Sequence, residues 1–113
     1  MKQFIITYHA PVDAAWRTAE STPEEMEAGM KAWMDWAERC GSKLVDFGTP
    51  LGNSIDIRPG GRVENSESTI MGYSILEADN MEEARDLCLE HPHLEWNDAC
   101  QIIIHESLPV PGS

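Results

Sequence analysis

Residues 22–52 read TPEEMEAGMKAWMDWAERCGSKLVDFGTPLG, and their reading decides what the rest of the chain can be. Thr22 is placed to cap a helix, Pro23 to take the first helical position where its missing N–H costs nothing, and Glu25 to complete a Thr-x-x-Glu capping box. Inside the helix Met26, Met30, Trp33, Ala37 and Cys40 recur at helical spacing, flanked by Gly29, Met34 and Trp36, while Glu27, Lys31, Asp35, Glu38 and Arg39 fall opposite. A face this rich in Met and Trp reads first as core packing. The competing reading puts Trp33 and Trp36 at a pocket's edge. Gly41 ends the helix, LVDF at residues 44–47 follows as a short strand, and Gly48, Pro50 and Gly52 close the unit.

Upstream, FIITY at residues 4–8 is β-branched and aromatic almost without interruption, which predicts a central strand covered on both faces. Residues 10–21 carry no sustained period and read as a loop, with Trp16 folded onto the body or acting as a lid. Downstream, SIDIR at 54–58 and RVE at 62–64 flank Pro59-Gly60-Gly61 and predict a protruding or edge hairpin. TIMGYSIL at 69–76 is the longest strand, and Gly72 inside it marks a bulge or the close approach of another backbone. Asp79 or Asn80 caps a second helix over 81–90, whose Met81, Ala84, Leu87 and Cys88 share one face. His91-Pro92-His93 ends that helix, residues 94–99 connect, and CQIIIH at 100–105 is the last strand.

With 113 residues the chain is expected to be one domain, able to bury roughly two thirds of its unfolded surface. Its formal charge of −12, from 8 basic and 20 acidic residues, repels phosphate backbones and anionic membranes, so neither nucleic acid nor membrane is an expected partner. Three scattered cysteines suit reduced thiols, the apolar run at the first residues is too short for a signal-peptide core, and no stretch of the sequence approaches ~20 apolar residues, which together predict a cytoplasmic protein. No Gly-rich phosphate loop precedes either helix and no Ser or Cys nucleophile motif appears in the sequence, which disfavours nucleotide and acyl-transfer chemistry.

The order strand, helix, strand, hairpin, strand, helix, strand predicts an α+β chain, a ferredoxin-like split β-α-β sandwich with an extra hairpin. Two helices cover one face of such a sheet. The apolar strands imply that the other face is covered too, and a symmetric homodimer packed sheet to sheet is the economical arrangement. TPEEM-x-x-x-M-x-x-W at 22–33, LVDFGTPLG at 44–52, GYSILEAD at 72–79 and HPHL at 91–94 together resemble the YCII-related family, of the longer type often called DGPF-domain proteins. That resemblance implies a dimeric α+β barrel with a cleft on the sheet side and, for some relatives, small-molecule enzymes that include a dehydrochlorinase-type lyase. Two features depart from it: Glu-Asn-Ser-Glu-Ser stands at 64–68 where the Asp-Gly-Pro-Phe turn belongs, and residues 23–41 hold no His to serve the His–Asp pair of the shorter members.

For catalysis the expected pair is Asp46, at the end of its strand, with His93, after the second helix: an imidazole shuttling a proton and a carboxylate orienting it, as cofactor-independent lyase or isomerase chemistry requires. The alternatives are that Asp46 caps the turn at Gly48 and that His93 satisfies a helix end. Tyr8, Trp33 and Tyr73 are the expected ligand-binding aromatics, at least one of them plain core. His9, His105 and Glu106 read as exposed groups at element boundaries. Cys88, His91, His93 and Cys100 are weighed as a zinc set and set aside, because Cys88 lies on an apolar helix face and no Cys-x-x-Cys is present, so neither metal nor cofactor is expected. Acid/base catalysis on a small organic molecule is thus the leading expectation, and a non-catalytic ligand-binding or regulatory module the alternative.

Overall fold

The computed structural model describes residues 1–11, 22–96 and 98–112. Trp16 and nearly all of the loop expected around it lie outside the described residues. In order, the elements are β1 (Lys2–His9), α1 (Pro23–Cys40), a 3-10 turn (Gly41–Lys43), β2 (Leu44–Asp46), β3 (Ile55–Arg58), β4 (Arg62–Asn65), β5 (Ile70–Ala78), α2 (Met81–Cys88), α3 (His93–Trp96) and β6 (Gln101–Glu106). The short α3 is an addition to the sequence expectation, and α2 stops two residues early. Strands β2, β5, β1 and β6 lie side by side in that order, every neighbour antiparallel, and β3 pairs with β4 in a separate hairpin. The chain is therefore an α+β mix on a mostly antiparallel sheet.

Local chemistry sets the ends of α1. The Thr22 hydroxyl accepts the Glu25 N–H at 3.1 Å and itself contacts the Glu25 carboxylate at 3.3 Å, while Gly41, at φ +58°, sends its N–H to the Ala37 carbonyl. Asn80, rather than Asp79, caps α2 by accepting the Glu83 N–H at 2.9 Å.

Alternation along the strands divides the side chains between two faces. Phe4, Ile6 and Tyr8 of β1 and Leu76 and Ala78 of β5 pack with Trp36 and Cys40 of α1 and Ala84 and Cys88 of α2 into one buried core. Trp36, completely buried, donates its indole N–H to the Leu87 carbonyl at 2.8 Å and so ties α1 to α2. On the opposite face Ile5 faces Ile75 and His105, and Thr7 faces Tyr73 and Ile103. None of these joins the core, so the expectation that β1 is covered on both faces is met on one face within the chain.

Another difference lies in α1. Met26 and Met30 are 51% and 61% exposed, not core as the apolar face of the helix suggested. Only the C-terminal half of α1 lies on the sheet, where Trp33, Trp36, Ala37 and Cys40 meet the core. The N-terminal half runs past it and leaves a gap between helix and sheet.

The β3–β4 hairpin turns at Gly60 and Gly61, both at positive φ, with the Gly61 N–H on the Arg58 carbonyl at 3.1 Å. One of its faces is an ion lattice in which Arg58 meets Asp56 and Glu64 and Arg62 meets Glu64. The other presents Ile55, Ile57 and Val63, 60–66% exposed.

Candidate functional site

The gap under the first half of α1 is a cleft of about 560 Å³, lined beyond the helix by residues 47–50, by residues 71–73 and by Pro92, His93 and Glu95. That volume suits a small organic ligand. Its floor is Tyr8, whose buried hydroxyl donates to Ser74 Oγ at 2.7 Å, and Ser74 in turn donates to the Phe47 carbonyl at 2.6 Å. This relay holds the segment after β2 against the sheet. Burial pushes the Tyr8 phenol well above its ordinary range, so the ring stays neutral.

Two glycines make room for that segment. Pro50 bridges to Gly72, the Leu51 N–H bonds the Met71 carbonyl at 2.8 Å, and a Cβ on Gly72 would lie 3.3 Å from the Thr49 carbonyl oxygen. Both readings of Gly72 are met: another backbone approaches it closely, and the β1–β5 register shifts beside it, Tyr8 pairing with Gly72 and His9 with Ile70 so that Met71 is left over in β5. Gly48 sits at φ +81°, and a Cβ there would collide with the Tyr73 carbonyl.

Trp33 forms the wall. It meets Tyr8 edge-on at 4.8 Å between centroids, lies nearly parallel to Phe47 at 6.2 Å and meets His91 edge-on at 4.4 Å. Behind it His91 is completely buried against Trp33, Tyr8 and Trp36, the last at 4.3 Å. His91 Nδ1 accepts the His93 backbone N–H at 3.0 Å, which places its proton on Nε2, and Nε2 has no hydrogen-bond partner among the described residues. The aromatic rings around it offer only the weak acceptance of their π faces. Burial first, and the nearby His93 and Arg39 next, push His91 down to about 3, so it is neutral at physiological pH.

His93 lines the cleft, packs on Tyr8 at 5.3 Å and donates from Nε2 to the His9 carbonyl at 2.8 Å. Burial lowers its pKa, and hydrogen bonds to the backbone of His9 and Gln101 offset part of that shift. His9, taken from sequence as an exposed end, is gripped through both ring nitrogens by Thr7 and Thr69, each at 2.8 Å.

Asp46 is placed differently. One carboxylate oxygen accepts the Gly48 N–H at 2.8 Å and the other the Tyr73 hydroxyl at 3.3 Å. No hydrogen bond or ion pair joins it to His93 among the described residues, and it forms no part of the cleft lining. Strand register is the reason. Asp46 lies beside Ile75, and Tyr73 beside Thr7, on the sheet face opposite Tyr8 and His93. Of the three expected ligand-binding aromatics, Tyr8 and Trp33 share the cleft through their rings; Tyr73 borders it beside Gly48 with its hydroxyl turned to Asp46.

Met26, Met30, Phe47, Glu25 and Glu95 also line the cleft and were not singled out for it. The methionines carried a usable signal, since they continue the Trp33 stripe one and two turns toward the start of α1. Cys40, Cys88 and Cys100 are free and buried, and burial pushes the Cys88 thiol up to about 12 and Cys40 to about 11. No group of three His, Cys, Asp or Glu side chains able to hold a metal occurs among the described residues. No helix among them is long and apolar enough to cross a membrane. No protein-family model matches the chain, and no curated protein does.

Proposed function

We propose that the protein is a small-ligand-binding module of YCII-related type, whose ligand occupies the cleft between α1 and the sheet. The observation that carries this reading is the pairing of an aromatic floor and wall, Tyr8 and Trp33, with a chain segment that Gly48 and Gly72 allow to lie close against the sheet at the cleft's edge. Apolar walls with a few fixed polar groups are what ligand recognition requires. A catalytic site needs in addition an acid and a base within reach of one reacting atom. Here Asp46 is occupied by Gly48 and Tyr73, and the His93 Nε2–H by a backbone carbonyl. Non-catalytic binding is therefore the better account of these residues than cofactor-independent lyase or isomerase chemistry.

The strand order β6-β1-β5-β2 with the core on one face supports a ferredoxin-like split β-α-β domain. Pairing of two copies into an α+β barrel is supported by the second sheet face, where Ile5, Ile75 and Ile103 stand outside the core, and by the apolar side of the β3–β4 hairpin. A two-stranded hairpin is marginal alone in water. Twice the chain mass in light scattering at micromolar concentration is the expected result, and a monomer refutes the pairing.

The ligand site is tested by filling it. Gly29 lines the cleft in the middle of α1, and a Cβ added there meets nothing within 4 Å. In a ligand-observed NMR screen of small organic molecules, Gly29→Leu is expected to abolish the binding seen with the wild type. Its stability should rise, because leucine is the better helix former by roughly 0.8 kcal/mol. Hits that bind both proteins equally, or an absence of hits, would refute the assignment.

A further inference from the structure

The charge distribution around the cleft defines the class of molecule it accepts. Its walls are Trp33, Tyr8 and Phe47 rings and the Met26, Met30 and Met71 thioethers. The charged side chains among its lining residues are Glu25 and Glu95, and no Lys or Arg among the described residues lines it. Glu95 is exposed and engaged in no side-chain hydrogen bond or ion pair among the described residues; Glu25 meets the Thr22 hydroxyl at the helix cap. Burial keeps the His93 imidazole neutral near pH 7, so it supplies no positive charge either. A net charge of −12 on the whole chain acts in the same direction.

We propose that the cleft binds an organic cation: a molecule with an apolar or aromatic body and an ammonium or similar group, the body lying on Trp33 and Tyr8 and the charge held by Glu25 and Glu95. Aromatic faces attract a cation through the negative side of their quadrupole, most strongly for Trp. Thioethers are polarisable and mould to an irregular apolar body. A ligand carboxylate in the same place would lose water, face two carboxylates and find no cation, which is the costly way to bury a charge. A small organic anion is thus the form this cleft rejects.

This inference rests on the ligand-binding reading above, and the test separates the two. Three probes of nearly one shape, 2-phenylethylamine, 2-phenylethanol and 3-phenylpropionate, are titrated into the full chain by calorimetry at pH 7. The amine is expected to bind tightest and the acid weakest, with at least about a tenfold span between them. Raising salt from ~0.05 to ~0.5 M should weaken the amine and leave the alcohol unchanged. Glu25→Gln with Glu95→Gln, which preserves the cap because glutamine also serves there, should reduce amine affinity about threefold or more and spare the alcohol.

An alcohol that binds as well as the amine, or an acid that binds better, overturns the cation assignment and leaves the ligand site standing. Binding of the amine that persists in Gly29→Leu places it outside the cleft and overturns the proposal. If none of the three binds and the fragment screen is also empty, both readings fall together.

Discussion

His91 makes the folding stability of this protein sensitive to mild acid. The imidazole is completely buried among Trp33, Trp36 and Tyr8, and its pKa is pushed from 6.5 down to about 3. In the unfolded chain it titrates near its ordinary ~6.5. Between the two values unfolding takes up a proton. The contribution of His91 is therefore fully present above pH 6.5 and is lost progressively as pH falls toward the folded-state value. Between pH 7 and pH 5 the loss comes to about 2 kcal/mol, and it barely changes if the folded value is a unit higher, because either lies well below 5. The assay is urea unfolding at pH 7, 6 and 5 at fixed protein concentration, followed by tryptophan fluorescence.

His9 and His93 are also shifted down and add to the slope with the same sign, so the wild type alone does not isolate His91. His91→Asn does. The Asn carbonyl oxygen replaces Nδ1 as acceptor for the His93 N–H, and nothing at the position titrates. The variant should be less stable at pH 7, through the gap left among the rings, yet should lose about 2 kcal/mol less than the wild type on going to pH 5. Equal losses in the two proteins would show that His91 is protonated in the folded state or reaches water, and the argument from burial would fail.

Gly48→Ala is expected to cost at least about 2 kcal/mol in the same urea assay, because φ of +81° and the Tyr73 carbonyl leave no place for a methyl group; a loss below about 0.5 kcal/mol would refute the close approach. Trp36→Phe keeps an aromatic ring at the centre of the core and removes the bond to the Leu87 carbonyl. A loss of about 2–3 kcal/mol is expected from the smaller ring together with the unpaired carbonyl, and a neutral result would mean that this link between α1 and α2 is not formed.

Features governed by neighbours along the chain were legible in the sequence, and those governed by register were not. Pro23 and Gly41 bound α1 as expected, because a cap is made by residues three or four positions apart. Gly72 announced a close approach for a similar reason: a glycine in an apolar strand has few other uses. Met26 and Met30 were misplaced because periodicity gives the face of a helix and not how far the sheet extends beneath it. The Asp46–His93 pair failed on a single-residue matter. The shift in pairing between Leu44 and Asp46 sets Asp46 beside Ile75, on the far side of the sheet from His93. Moving a strand side chain by one residue exchanges its face. No property of Asp46 or of His93 taken alone records that exchange, whereas the grip of Gly48 on Asp46 was written in their spacing. The turn reading of Asp46 was accordingly the one that local sequence could support, and the residues that build the cleft floor, Tyr8 and Ser74, meet only through the β1–β5 pairing of distant parts of the chain.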